Sequence, residues 1–340
     1  MTMRKPRMTA PGRVTMQDVA AAAGTSMISV SRTFRGSTLV SPSLRERIET
    51  VASQLGYVPD RAASALASTR SMNVAVLVPS LTNMVFTEIL AGIDEVLSAR
   101  GYQMIMATSF YAATEELRLL RGLLAFRPDG ILLTGTDHLP ETARLLATTA
   151  CPRVHMMDLG KEISDHSVGF SQEDAGAAIA RHFIERGYRH PGFVAAQLDP
   201  RTLARGAGFR AALVAAGQAE PPMLMVPAPS SIALGGVLLD QMRQEHPETD
   251  ALFFCNDDLA LGALFQCLRR GIKVPEQVAL AGFNDLPASA CATPALTTIT
   301  TPRHQIGRRA AFMLLDLMAG RKPPISRLDL GFTLNVRETS

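Results

Sequence analysis

Long apolar runs are missing from this 340-residue chain. No stretch approaches the roughly 18 uninterrupted apolar residues of a membrane span, and the basic opening MTMRKPRMTAPGR has no hydrophobic region behind it, which argues against a secretory leader. Cysteine is scarce. Cys151, Cys255, Cys267 and Cys291 stand singly, without a paired disulfide framework or CxxC metal spacing, and are expected to be small buried hydrophobes. Catalytic signatures are absent too: there is no GxGxxG after the first strand-like run, no GxxxxGK[ST] phosphate loop, no HExxH and no GxSxG elbow. The histidines are not expected to cluster, with His182 and His190 in structural or solvated roles. These absences together predict a cytoplasmic protein that is not an enzyme and uses no cofactor or metal.

What is present is ordinary in amount and uneven in distribution. At 47% apolar and 19% charged residues the chain can build real cores, and its length suggests two to three domains. Residues 1–71 carry ten Lys/Arg against four Asp/Glu, a net of +6, while residues 72–340 carry 24 against 27, a net of −3. A basic head on a slightly acidic body suits a polyanionic partner, although a merely solvated basic terminus has the same charge.

Periodicity in the head predicts three short helices. Thr15 with Asp18 three residues on forms a helix-starting box, and Gly24 ends that helix. Ser26 caps a second helix over 27–34. Ser41 caps a third, with Pro42 in its first position and Gly56 as its stop. The spacing Ala20, Gly24, Val30 supplies a small residue at a helix crossing, a turn residue tolerating positive φ and an apolar anchor, as a helix-turn-helix requires. The polar face of the second helix carries Ser26, Ser29, Ser31, Arg32 and Arg35, whose hydroxyl and guanidinium groups can bond phosphates; Arg32 is the candidate for bidentate pairing with guanine. Met27 and Ile28 at its start suit thymine methyls or a small satellite core.

After residue 71 the pattern changes. NVAVLVP, YQMIMATS, DGILLTG, RVHMMD, GFVAAQ, ALFFC and VALAGF are short, nearly continuous apolar runs, as in parallel strands covered on both faces, and amphipathic helical stretches alternate with them. Repeated βα units predict an α/β, doubly wound architecture with a ligand site at the carboxyl ends of the strands.

The segment VTMQDVAAAAGTSMISVSRTFRGSTLVSPSLRERIETVASQLGYVPDRAASALAS resembles the DNA-binding headpiece of the LacI family of bacterial transcription regulators. That resemblance implies a hinge helix at 59–71 that orders on operator DNA and wedges Leu66 into the minor groove, with Ala62 and Ala63 as packing partners and Arg61 and the capping Thr15 and Ser41 at the DNA. Asp60 stands where the family usually has asparagine. The rest of the chain resembles the family's two-lobed, periplasmic-binding-protein-like core. The implied organisation is a basic arm (1–13), a helix-turn-helix headpiece (14–58), the hinge (59–71) and a core (72–340). One lobe of the core takes 72–157 plus 302–318, the other 158–301 plus 319–340, and the crossings fall near 158–167, 299–302 and 318–328.

The same resemblance implies that Asp158, Phe170, Arg205, Asn256 and Asn284 line an effector cleft. Arg205 can hold a carboxylate or phosphate through two parallel hydrogen bonds, unless it merely pairs with an acidic neighbour. Asn284 stands where many sugar-binding relatives have aspartate, which favours an anionic ligand. VPSLTNxVFxExLxGI (78–93), LDLGFTL (328–334), CNDDLA and TPR resemble the gluconate-utilisation branch of the family. That implies gluconate, 6-phosphogluconate or a ketogluconate as effector, with Thr82, Asn83 and Phe86 in the cleft, Phe86 equally suited to plain packing. The expected protein is a homodimeric repressor of a palindromic operator, controlled by a sugar acid. The alternative is a cytoplasmic sugar-acid sensor that does not itself bind DNA.

Overall fold

A computed structural model describes residues 14–34, 36–59, 70–159 and 166–340. Contacts divide the chain into two units, Met1–Ser71 and Met72–Ser340. The basic arm at 1–13, Arg35 and the hinge residues Asp60, Arg61, Ala62, Ala63 and Leu66 lie outside the described residues.

The first unit contains α1 (Met16–Ala22), α2 (Met27–Phe34) and α3 (Pro42–Leu55). Each boundary has a local chemical cause. Thr15 and Asp18 form the reciprocal capping box, the Thr15 hydroxyl donating to Asp18 Oδ2 at 2.7 Å, and Gly24 turns the chain at φ 59°. The Ser26 hydroxyl accepts from the Ser29 amide, the Ser41 hydroxyl accepts from the Leu44 amide, and Gly56 closes α3 at φ 67°. The three helices share a small core of Val19, Ala20, Ala23, Val30, Ile48 and Ala52.

The second unit contains two sheets. The first is built from β1 (Asn73–Val78), β2 (Gln103–Thr108), β3 (Gly130–Thr134), β4 (Arg153–Met157), β5 (Ser167–Gly169) and β11 (Arg327–Asp329), in the order β11-β5-β4-β3-β1-β2 and parallel throughout. The second takes β6 (Pro191–Ala196), β7 (Met223–Val226), β8 (Ala251–Phe254), β9 (Ala279–Asn284), β10 (Thr297–Thr300) and β12 (Thr333–Asn335), in the order β12-β10-β9-β8-β6-β7, with only β12 antiparallel. In chain order the helices between them are α4 (Met84–Ser98), α5 (Ala113–Ala125), α6 (Pro140–Thr148), α7 (Gln172–Glu185), α8 (Pro200–Ala215), α9 (Ile232–Glu245), α10 (Asp257–Arg270), α11 (Pro287–Cys291) and α12 (Arg303–Met318). Alternation along β1 shows why its run is continuously apolar: Val74, Val76 and Val78 belong to the core with α4 and α12, while Ala75 and Leu77 join Leu120 and Leu123 of α5 and Leu146 of α6 in a separate cluster on the other face.

Two of the expected crossings move. β5 pairs with β4, so the chain leaves the first lobe after Gly169 rather than at 158–167. β11 pairs with β5 before β12 joins the other sheet, so the last crossing falls at 330–332 rather than 318–328. Both strands have only three residues, and Arg327 and Asp329 of the edge strand β11 are exposed, so neither gives an apolar run. At the remaining crossing, after Thr300, the guanidinium of Arg303 at the start of α12 donates to the Asn284 carbonyl and to Glu88 of α4 at 2.8 Å.

Paired glycines set the closest helix crossings. A Cβ on Gly92 would overlap the His304 carbonyl, and one on Gly307 the Ile89 carbonyl, where α4 meets α12. Gly235 and Gly262 do the same for α9 and α10, and Gly176 and Gly208 for α7 and α8. Gly208→Ala drives a methyl into the Glu173 carbonyl, with backbone on both sides and no side chain to yield. It is expected to lower stability by about 2 kcal/mol, seen as a lower midpoint in thermal or urea denaturation.

Candidate functional site

On the first unit, α2 presents its polar and apolar groups outward. Met27 and Ile28 are 52% and 64% exposed, and Arg32 is exposed, its carbonyl accepting from the Ser37 amide while its guanidinium has no hydrogen-bond partner among the described residues. Ser26 and Ser29 lie beside each other, their hydroxyls 3.1 Å apart. Ser31 is half-buried on the same helix. Thr15 and Ser41 cap α1 and α3, so their hydroxyls already serve the fold. Sequence reasoning missed Arg45. Its guanidinium donates to the carbonyls of Thr33 at 3.0 Å and Ser37 at 2.7 Å, fixing the carboxyl end of α2 from α3.

In the second unit, a cavity of about 430 Å³ opens where the parallel strands of both sheets end. Thr82, Asn83, Phe86, Arg205, Asn256 and Asn284 all line it. Asp158 and Phe170 do not. Phe170 is wholly buried against Phe283 and Phe332, with ring centroids 6.2 and 6.3 Å away, and has no face left for a ligand. Asp158 instead faces Arg201, at 3.9 Å. Strand-end turns dominate the wall: of the eight non-glycine residues with positive φ among the described residues, five (Phe110, Tyr111, Met157, Gln197 and Asn284) line this cavity. Strain of this kind persists only where surrounding packing imposes it, and it gathers here at the site.

Arg205 is the chemical centre. It is 6% exposed, its Nε donates to Gln172 Oε1 at 2.8 Å, its Nη1 donates to the Cys255 carbonyl at 2.7 Å, and its guanidinium lies 3.9 Å from the Phe283 ring centroid. Among the described residues no carboxylate pairs with it and Nη2 has no partner. Burial accordingly pulls its pKa down. Asn284 is equally buried, and its Oδ1 has no hydrogen-bond partner among the described residues. A donor on the cavity wall and a buried acceptor beside it, neither met among the described residues, suit a ligand with a carboxylate and hydroxyls. The other amides are partly engaged. Asn256 Oδ1 accepts from the Leu259 amide while its Nδ2 reaches Ser230, and Asn83 caps α4 and reaches the Tyr111 hydroxyl at 3.4 Å.

Arg201, one turn before Arg205, was not anticipated. Burial works against its charge, but Asp199 at 3.1 Å and Asp158 outweigh that and hold its pKa above the ordinary arginine value. The PRTLAR spacing, which puts both arginines on one helix face, was the available signal. Burial pushes the Asp158 carboxyl up to about 6; Arg201 opposes the shift and Asp137 adds to it. A further hollow of about 360 Å³ shares Pro79, Tyr111, Gln197, Asp199 and Arg201 with the cavity and extends it. Behind it the histidines do cluster, contrary to expectation. His138 Nδ1 lies 2.6 Å from Glu116, its Nε2 lies 3.3 Å from His155 Nδ1, and His155 bonds the Gly135 carbonyl. The two residues come from the loop after β3 and from β4, neighbours only through the sheet. His182, by contrast, is buried and bonds the Ser340 hydroxyl.

Comparison with known proteins decides the family. The model of bacterial regulatory proteins, lacI family, matches residues 15–60, and that of the periplasmic binding protein-like domain matches 180–340. The HTH-type transcriptional regulator GntR of Pseudomonas aeruginosa is 48% identical over 330 residues, covering 97% of this chain and 96% of its own. The chain belongs to the lacI family. Among solved structures, the transcription regulator GntR of Chromobacterium violaceum aligns with TM-score 0.77 and 51% identity over 79% of this chain and 99% of that one. A lac repressor dimer bound to operator aligns with TM-score 0.85 and 26% identity over 96% and 99%. This lacI-family member is a DNA-binding transcriptional regulator, and no helix among its described residues is long and apolar enough to cross a membrane.

The Asp158 shift has a testable sign. Below pH 6 its carboxyl is largely protonated; as pH rises through 6 it becomes an anion that Arg205 also senses. Affinity for a small carboxylate ligand is therefore expected to fall severalfold between pH 5 and 7.5, and Asp158→Asn is expected to flatten that dependence in calorimetric titrations.

Proposed function

We propose that this regulator is a repressor whose operator affinity is set by a sugar acid: gluconate, 6-phosphogluconate or a ketogluconate. One observation carries the reading, the buried Arg205 guanidinium with a free Nη2 and no carboxylate partner among the described residues, opening on a cavity of about 430 Å³. A cavity of that size accommodates a six-carbon acid. The carboxylate meets Nη2, one hydroxyl donates to Asn284 Oδ1, and Thr82, Asn83, Asn256 and Ser230 supply further polar contacts along the chain of hydroxyls. The regulated genes, on this reading, serve gluconate-type carbohydrate catabolism.

On the DNA side, α2 enters the major groove with Arg32 at a guanine edge and Met27 and Ile28 on thymine methyls, while Ser26, Ser29 and Ser31 bond phosphates. Two copies read an inverted repeat. A surface on the second unit supports that pairing: the outer face of α9 and α10 exposes Ile232, Val237, Phe265 and Leu268, with Val237 at 61%, around a shallow groove rimmed by Asp240 and Arg269. A self-complementary apolar face with opposite charges at its edge fits a second copy of the chain.

Arg205→Met is expected to weaken sugar-acid binding by about 10- to 100-fold while leaving effector-free operator binding intact. Calorimetry and gel shift read the two separately, and undiminished gluconate affinity in the variant would refute the carboxylate assignment. Val237→Asp is expected to convert dimers to monomers in sedimentation and, with the second reading head lost, to weaken operator binding by at least tenfold.

A further inference from the structure

Gln172 is the first residue of α7, just past the crossing out of β5. It is 4% exposed, and neither of its amide atoms is idle: Oε1 accepts from Arg205 Nε at 2.8 Å, and Nε2 donates to the Met157 carbonyl at 3.0 Å. That orientation is forced, because a guanidinium only donates and a carbonyl only accepts. Met157 ends β4 in the first sheet, with φ 75°, a left-handed conformation costly for a non-glycine residue, and Asp158 follows it directly. Arg205 belongs to α8, whose neighbour β6 lies in the second sheet. One buried amide thus joins the cation at the cavity wall to a strained strand end in the other lobe. Gln172 does not line the cavity itself.

We propose that Gln172 is a positioning residue that converts occupation of Arg205 into a change in the first lobe, by coupling the guanidinium to the Met157 carbonyl. The inference rests on the sugar-acid reading above. When a carboxylate takes Nη2, the guanidinium reorients, and the Gln172 amide can keep its Nε bond only by moving with it. That movement draws on the Met157 carbonyl, whose strained backbone supplies a second arrangement close in energy. From β4 the sheet runs through β3 to β1, the first strand after residue 71.

The test uses the full chain, its operator duplex and gluconate. In the wild type, saturating gluconate is expected to change operator affinity by about 5-fold or more. Gln172→Leu should still bind gluconate, within about tenfold of wild type by calorimetry, but its operator affinity should change less than twofold at saturation. Gln172→Glu keeps an acceptor for Arg205 Nε and loses the donor to Met157. It should show the same loss of response and, because its carboxylate neutralises the guanidinium, a further loss of gluconate affinity that the neutral polyol glucitol does not share. If Gln172→Leu gives no cooperative melt, Gln172→Glu decides alone. A full response in a folded variant overturns the coupling and leaves the sugar-acid reading standing. No response in the wild type to gluconate, 6-phosphogluconate or a ketogluconate overturns both.

Discussion

A guanidinium buried without a carboxylate is the condition on which the rest of the second unit depends. Removing an arginine from water costs several kcal/mol, and a protein ordinarily offsets that with an ion pair. Arg201 follows that pattern, with Asp199 and Asp158 beside it. Arg205, one turn further along α8, receives only neutral partners: a glutamine oxygen, a backbone carbonyl and the face of Phe283. These stabilise the cation without cancelling its charge. Asp199 and Asp158 act on that charge from a distance but neither pairs with it, so the guanidinium keeps a fixed position for which an anion is the natural complement.

The fold supplies that geometry through close backbone approaches. Gly176 of α7 faces the Arg205 carbonyl, and Gly208 of α8 faces the Glu173 carbonyl, so these two helices are held at a separation that excludes any side chain at the crossing. Gln172 and Arg205 sit one turn or less from those glycines, which is why an amide can reach a guanidinium and the opposite lobe at once. The parallel sheets do the rest. Their carboxyl ends converge on one cleft, and the left-handed turns at Tyr111, Met157, Gln197 and Asn284 aim loops inward there.

Local signals were legible in the sequence and contacts between distant segments were not. The caps at Thr15, Ser26 and Ser41 and the stop at Gly56 follow from residues within four positions of each other, and α2 runs from Met27 to Phe34 as its periodicity predicts. β5 and β11 were illegible because strands of three residues, one with exposed polar ends, take their identity from the partner they pair with. Phe170 was placed on the cleft by resemblance, but burial is set by what packs on both sides, and Phe283 and Phe332 close it off. The pairing of His138 with His155 arises from the register of β3 on β4, and the contacts of Gln172 from the crossing after β5, which no apolar run marks.

Arginine stands in two opposite environments in this regulator, and under the proposed function the contrast lets one chain meet two anions of very different size. Arg32 stands in water on α2, where its charge costs nothing to maintain, and in the proposed reading it meets a phosphate-bearing duplex with an attraction that weakens steeply with salt. Arg205 is enclosed, where ions screen little, so its attraction is strong but open only to a ligand that fits the cavity. The sign asymmetry of the chain keeps the two apart: a polyanion is drawn to the +6 head and repelled by the −3 body, while only a small anion can reach the buried cation inside that body. With the two sites distinct in this way, any influence of one on the other must pass through the structure as a coupling free energy, equal in both directions, and not through competition for a shared charge.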